Sequence, residues 1–256
     1  MLLYYKYIIE EFLNMKNDLI KDFNKELNDN DPELTNIIDN FITRQVLEKS
    51  ILSDKERYIV TIASLVANES TLLYENMLNV FLEVLTPVEI KEVLYQSIVY
   101  VGLAKVYPFL DITNKVLDEN NVKLPLDSQT TVDYKDRLEA GYNLQVNNFG
   151  KEFIDGNIDS CPDSQKHIWD FISSFAFGDF YTRSGLDERL RELVSFSLIL
   201  SLRGCENQLR IHARGNLEVG NDKSKLESVI TVLVLYNGFP RTHNALAILN
   251  EVCEDF

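Results

Sequence analysis

Apolar residues recur at helical spacing along nearly the whole chain, and no other feature constrains its fold as strongly. Leu226, Val229, Ile230 and Leu233 form one stripe, and Ala245, Ile248, Leu249 and Val252 another. Both follow the i, i+3, i+4, i+7 pattern of a helix with one buried face. Strand-like alternation is scarce. Pro32, Pro87, Pro108, Pro125, Gly204, Gly220 and Gly238 fall between the stripes, where helix ends place such residues. The pattern predicts an all-α fold.

At 256 residues with 45% hydrophobic content, the chain can build two ordinary cores. The longest stretch without an apolar period runs from Asp118 through Asn120, Pro125, Asp127 and Ser128 to Thr131. Read as a linker, it predicts two domains, 1–124 and 125–256. A second polar segment, Asp155 to Asp163, reads as a loop joining helices of the C-terminal half. The first 50 residues, with the stripe Tyr4, Tyr7, Ile8, Glu11 and Phe12, are predicted to add helices that cover the N-terminal unit or a subunit contact.

Sliding the chain against itself reveals an internal repeat. The register that lays Glu56 on Glu192 also lays Leu73 on Leu209, Ile90 on Leu226, Val93 on Val229, Tyr100 on Tyr236, Gly102 on Gly238 and Leu110 on Leu246. Helical periodicity by chance matches aliphatic positions, but a Tyr-x-Gly pair and a Glu in one register are harder to match. The expected architecture is a tandem pair of helical-bundle units.

Charge and cysteine usage narrow the function. A formal net charge of −15 repels phosphate backbones and anionic lipid surfaces, which argues against nucleic-acid and membrane roles. Cys161, Cys205 and Cys253 are odd in number and widely spaced, unlike a disulfide framework, which points to a reducing cytoplasm. The apolar start, Met1 to Tyr5, is cut short by Lys6, Glu10 and Glu11 before a signal core or membrane span forms.

Chemistry concentrates in one ordered set of motifs: Arg191-Glu192-Leu193-Val194, then Gly204-Cys205-Glu206-Asn207-Gln208-Leu209-Arg210-Ile211-His212, Gly215-Asn216, Gly220-Asn221-Asp222, Gly238-Phe239-Pro240-Arg241 and Asn244-Ala245-Leu246. In that order they resemble the core of the carboxymuconolactone decarboxylase and alkylhydroperoxidase superfamily. The resemblance covers residues 133–254 well and 50–120 weakly. It implies either a decarboxylase acting on a carboxylated lactone or a thiol-dependent hydroperoxidase with a Cys-x-x-Cys followed by His and an earlier Glu. Here Cys205 fills the first cysteine position and Gln208 replaces the second.

Seven residues separate Cys205 from His212, about two helical turns and roughly 10 Å of rise, too far for a direct hydrogen bond. The replaced position 208 is one turn from His212, the spacing at which a base activates a thiol. An intramolecular disulfide cycle is therefore unsupported, and a peroxidase would need an external thiol reductant. Cys205 follows Gly204 at an expected helix start, where the helix dipole lowers a thiol pKa. It reads equally well as an inert buried filler.

The resemblance makes Glu192, Cys205 and His212 the candidate catalytic residues, and neutral imidazole can act as acid or base near pH 7. Glu192 interrupts the apolar run Leu190 to Leu202, so it needs a partner. That partner is His212, forming a proton relay, or a neighbouring arginine in a structural ion pair. His167 and His243 match no motif and read as structural. Arg189, Arg191, Arg203, Arg210 and Arg214 face only two acids, Glu192 and Glu206, within their stretch. They serve either to draw a small anionic substrate into a cleft or to pair with surface acids. Arg241 and Gln208 are the candidate substrate-binding residues. No metal-ligand spacing or nucleotide fingerprint is present, so no cofactor is implied.

In the register of the repeat, Cys205 falls on Glu69, His212 on Asn76, Pro240 on Ala104 and Arg241 on Lys105. The N-terminal copy therefore reads as degenerate, supplying the packing surface that a second subunit gives a single-unit relative. One active site per chain is expected. The resemblance also implies a homo-oligomer, with three duplicated chains building a ring equivalent to a hexamer of single units. The leading reading is Glu/His acid–base chemistry on a small carboxylated metabolite. A single-cysteine peroxidase and a non-catalytic oligomeric scaffold are the alternatives.

Overall fold

The computed structural model describes residues 25–256; the stripe Tyr4 to Phe12 lies outside them. Among the described residues all regular structure is helical, and none of the helices is long and apolar enough to cross a membrane. The chain divides into two compact units, Met1–Ile51 and Leu52–Phe256. In the first, α1 (Lys25–Asn30) leads into α2 (Pro32–Phe41), then through a π-helical turn, Ile42–Val46, into α3 (Leu47–Lys49). Pro32 opens α2, a position where its missing N–H would have had no partner.

The second unit contains α4 (Asp54–Ala67), α5 (Thr71–Leu82), α6 (Pro87–Val101), α7 (Leu103–Glu119), α8 (Arg137–Phe149) and α9 (Lys151–Ser160). These are followed by α10 (Lys166–Phe171), which runs into a π-helical stretch Ile172–Tyr181, then α11 (Glu188–Ser201), α12 (Glu206–Glu218) and α13 (Lys223–Asp255). Local chemistry sets the starts. Ser53 with Glu56 and Thr86 with Glu89 form reciprocal capping boxes at α4 and α6, and Asp187 and Asp222 cap α11 and α13 through their side chains. Each such cap contributes about 1 kcal/mol.

Helices α4 and α11 are the axis of this unit. Ile59, Val60, Ile62, Ala63 and Val66 of α4 and Leu193, Val194, Phe196 and Leu198 of α11 are all fully buried. Full burial of each large aliphatic or aromatic side chain is worth about 1.5–3 kcal/mol. The two helices pack on each other, and α11 also meets α6, α12 and α13. Because both are apolar on nearly every side, neither can be solvated alone. For that reason the boundary expected at residue 125 falls inside one compact unit. The polar segment expected to be a linker is irregular, and it is tied down on the same unit: Thr131 Oγ1 donates to the Thr182 carbonyl at 2.6 Å and Ser184 N to the Gln129 carbonyl at 3.0 Å.

The loop expected over Asp155–Asp163 is mostly helix. Phe153, Ile154 and Ile158 hold helical spacing, Ile154 is buried, and α9 continues to Ser160, where Cys161 and Pro162 end it.

The order of elements recurs along the unit. In the register that lays Glu56 on Glu192, helices α4, α5, α6 and α7 fall, within two residues, on α11, α12 and the two arms of α13. The break between α6 and α7 is Gly102 at φ 80°, ψ 156°, and the break inside α13 is Gly238 at φ 74°, ψ 163°. Only glycine occupies that region without strain.

Candidate active site

Glu192 lies in the second turn of α11 and is completely buried. Its Oε2 lies 3.0 Å from His212 Nδ1 on α12. Of the two partners open to Glu192 from sequence, it meets the histidine. The neighbouring Arg191 turns the other way, donating to Glu92 at 2.9 Å, to Gln96 Oε1 at 3.1 Å and to the Arg183 carbonyl at 2.8 Å. Burial lowers the Arg191 pKa, and the bond to Glu92 opposes that shift.

The two helices are locked in this register by Asn216, whose amide donates to the Glu192 carbonyl at 3.0 Å and the His212 carbonyl at 2.7 Å. Asn221 donates to Asn216 Oδ1 at 2.9 Å and to the Arg189 carbonyl at 3.0 Å. The two Gly-Asn motifs thus hold the frame of the site. Among the described residues Glu192 Oε1 has no hydrogen-bond partner. A buried oxygen in that state costs about 1–3 kcal/mol, a cost that functional sites retain more often than structural ones.

The His212 ring is enclosed by aromatic groups. Phe149 from the end of α8 meets it edge-on with ring centroids 5.5 Å apart, and Tyr100 from the end of α6 does so at 5.6 Å. A Cβ at Gly215 would come 2.6 Å from Phe149 Cε1 and 3.1 Å from Glu192 Oε2, so only glycine lets Phe149 and the carboxylate sit this close to α12. The Tyr100 hydroxyl lies 3.4 Å from His212 Nε2, 2.6 Å from the Tyr181 hydroxyl and 2.8 Å from Ser195 Oγ; Tyr181 also contacts Ser195 directly. Burial, and then the Glu192 charge, push the Tyr100 phenol well above its usual pKa. Burial does the same to Tyr181, with smaller contributions from Tyr100 and Glu192. Both hydroxyls are therefore neutral donors across the physiological range.

The other predicted residues lie apart from this cluster. Cys205 is the N-cap of α12, one residue ahead of its first turn, with its Sγ near the Arg203 carbonyl at 3.6 Å. Gln208 is exposed on the outer face of α12. Arg241 is engaged by the protein itself: its guanidinium donates to the Ser201 carbonyl and to Asn68 Oδ1. Cys205 and Arg241 do share a cavity, but it measures only about 30 Å³ and His212 does not line it. Their counterparts in the first copy, Glu69 and Lys105, form an ion pair at 2.7 Å. Most of the arginines of this stretch are taken up internally, Arg210 by Glu251 at 2.9 Å and Arg189 by the Val219 and Gly220 carbonyls. His167 and His243 are exposed, not packed in the core.

Two larger spaces each have one residue of the cluster in their walls, Phe149 in one and Tyr181 in the other, and His212 lines neither. A groove of about 610 Å³ is bordered by Phe149, Phe153, Ile211, Arg214 and Val252, among others. A cleft of about 390 Å³ has Tyr181 in its wall together with Thr131, Asn143, Asn147 and Glu188. Among the described residues no group of three or more His, Cys, Asp or Glu is arranged to hold a metal ion.

Tyr100, Phe149, Tyr181, Ser195 and Gln96 went unrecognised in the sequence. Tyr100 was visible there as half of the Tyr-x-Gly repeat, but nothing in a linear pattern says that a residue of the first copy reaches the histidine of the second.

The match to known proteins falls on the same region. The model of the carboxymuconolactone decarboxylase family matches residues 169–251, which contain Tyr181, Glu192, Ser195 and His212 but not Tyr100 or Phe149. The chain is similar to 4-carboxymuconolactone decarboxylase of Acinetobacter baylyi, 30% identical over 119 residues, which cover 46% of this chain and 88% of that protein. It is also similar to nitrosuccinic acid decarboxylase of Metarhizium robertsii, 21% identical over 118 residues, 46% of this chain and 82% of that protein. With a helical fold throughout the described residues and an ordered match over nearly the whole length of such a relative, the chain belongs to the carboxymuconolactone decarboxylase family.

Proposed function

We propose that this protein is a decarboxylase of a small carboxylated metabolite, of the carboxylactone type, and that Glu192 and His212 perform its acid–base chemistry. The observation that carries the reading is the buried Glu192–His212 contact at 3.0 Å. The Glu192 carboxylate accepts from Nδ1–H and fixes the ring, which leaves Nε2, the nitrogen turned away from it, to exchange a proton with substrate. When a carboxylate conjugated to a carbonyl loses CO2, the C–C bonding pair stays on the substrate as an enolate, which must then take a proton. Nε2–H delivers that proton, and the carboxylate holds the ring in place while it does so. The names of two similar proteins, both decarboxylases, support the same reaction class.

The groove beside Phe149 is the space we assign to substrate. Its volume, about 610 Å³, falls in the range of small-molecule sites. Arg214 is the cation there with the weakest internal partner, Glu218 at 3.9 Å, and can hold an anionic group. A ring of three chains is the assembly we propose, testable by solution mass.

The direct test is CO2 release from 4-carboxymuconolactone by the wild type, His212→Gln and Glu192→Gln proteins. Turnover by the wild type with a loss of about 100-fold or more in both variants is the expected result. Equal rates in all three would reject the pair as the catalytic centre. The thiol-peroxidase alternative has no comparable observation in its favour, because Cys205 has neither a resolving partner among the described residues nor contact with His212.

A further inference from the structure

Decarboxylation consumes one proton from solvent at each turnover: the carboxylate and a proton become the C–H product and CO2. In the reading above, which this inference rests on, His212 gives up its Nε2 proton and must be recharged. Its side chain is only 11% exposed, and bound substrate covers what remains. Glu192 faces it from α11, Phe149 from α8 closes one edge without a titratable group, and Tyr100 from α6 is the remaining polar neighbour.

The hydroxyls beyond Tyr100 can pass a proton in one direction only. Ser195 Oγ donates to the Arg191 carbonyl at 3.1 Å and accepts from Gln96 Nε2 at 2.9 Å. Its proton is committed to an acceptor that has none to return, so Ser195 anchors the cluster and ends it. Tyr181 leads elsewhere. Its hydroxyl is 2.6 Å from that of Tyr100 and also touches Ser195 Oγ, and Tyr181 is one of the residues that line the cleft with Asn143, Asn147 and Glu188.

We propose that Tyr100 is the positioning residue of His212 and that Tyr181 and Tyr100 together carry a proton from this cleft to Nε2. With His212 charged, Nε2–H donates to the Tyr100 oxygen while Tyr100 donates to Ser195. After Nε2 has lost its proton, Tyr100 turns its O–H to Nε2 and gives it up, takes the proton of Tyr181, and Tyr181 takes one from cleft water. Each oxygen gains one proton and loses one, and no phenolate accumulates, in keeping with the upward push on both phenols. Tyr100 and Gln96 lie outside the stretch that matches the family model, so the N-terminal half supplies a working part of the site.

The repeat provides an internal control. Tyr236, which falls on Tyr100 in the repeat register, is likewise partly buried and hydrogen-bonded, to Thr61, and the residue that falls on His212 in that register is Asn76. The experiment compares Tyr100→Phe, Tyr181→Phe and Tyr236→Phe by steady-state kinetics on 4-carboxymuconolactone and by long-range ¹H–¹⁵N spectra of the histidine rings. The first two variants are expected to lose about tenfold or more in kcat with KM within about twofold, and Tyr236→Phe to stay near wild type. Tyr100→Phe alone should move the Nε2 signal of His212. Should Tyr100→Phe fail to fold, Tyr181→Phe carries the same kinetic test. Equal kcat in Tyr100→Phe and Tyr236→Phe, or an unmoved Nε2 signal in Tyr100→Phe, overturns the proposal. Absence of turnover in the wild type instead sinks the decarboxylase reading and the recharging role with it, while the Nε2 signal still decides whether Tyr100 positions His212.

Discussion

Glu192 Oε2 and His212 Nδ1, twenty residues apart in sequence, meet at 3.0 Å across two packed helices, and the carboxylate is completely buried. Replacing Glu192 by Gln keeps the volume and removes the charge, so the ring loses the carboxylate that orients it. Activity should fall about 100-fold or more with little change in melting temperature. A melting temperature lowered in step with activity would make the pair structural.

Cys205 predicts the opposite behaviour. It caps α12 without a side-chain cap bond and is partly exposed, so Cys205→Ser should leave lactone turnover within about twofold of wild type. Peroxide consumption with an added thiol, lost on that substitution, is the result that would restore the peroxidase reading.

Gly238 holds φ 74°, ψ 163° inside α13, a conformation that costs a residue with a Cβ about 1–3 kcal/mol. Gly238→Ala should lower stability by that amount in denaturant titration, and Gly102→Ala, at φ 80°, by a similar one. An unchanged midpoint in both would mean that the helical arms tolerate a different break.

Glu56 stands at the position matching Glu192 and does different work. It completes the capping box with Ser53 and pairs with Lys225. Burial raises its pKa, but the bonds from Lys225 and Ser53 outweigh that and hold it below the usual carboxylate value. A depressed folded-state pKa contributes stability that is present above the unfolded value and is lost as pH falls through the folded one. Glu56→Gln should therefore cost about 1 kcal/mol near neutral pH, and the gap to wild type should close in acid. A gap independent of pH would show that the charge contributes nothing.

The comparison of Glu56 with Glu192 marks where sequence reading ends. Both are glutamates in register in a repeated pattern, yet α4 begins two residues later in that register than α11. One therefore sits at a helix start, partly exposed, and the other lies in the core. Helix identity was legible because apolar spacing, caps and glycine breaks are local, and each is written in a few consecutive residues. The pairing of Glu192 with His212 could be anticipated from the ordered motif, although an arginine partner also remained open from the sequence. The single unit from Leu52 to Phe256 could not be anticipated, because the polar segment 118–131 resembles a linker until its hydrogen bonds to Thr182 and Ser184 are seen.

The sequence by itself determined that the chain is helical, where most of the helices break, and the short motif that holds Glu192 and His212. Only the tertiary structure decided that Tyr100 of the first half meets His212 and Gln96 meets Ser195, that Arg241 is tied to Ser201 and Asn68, and that Cys205 lies apart. The physical reason is that periodicity specifies which face of a helix is buried but not which helix covers it. The contacts of a site between helices depend on that second choice, which the packing of α4 and α11 makes for the whole unit.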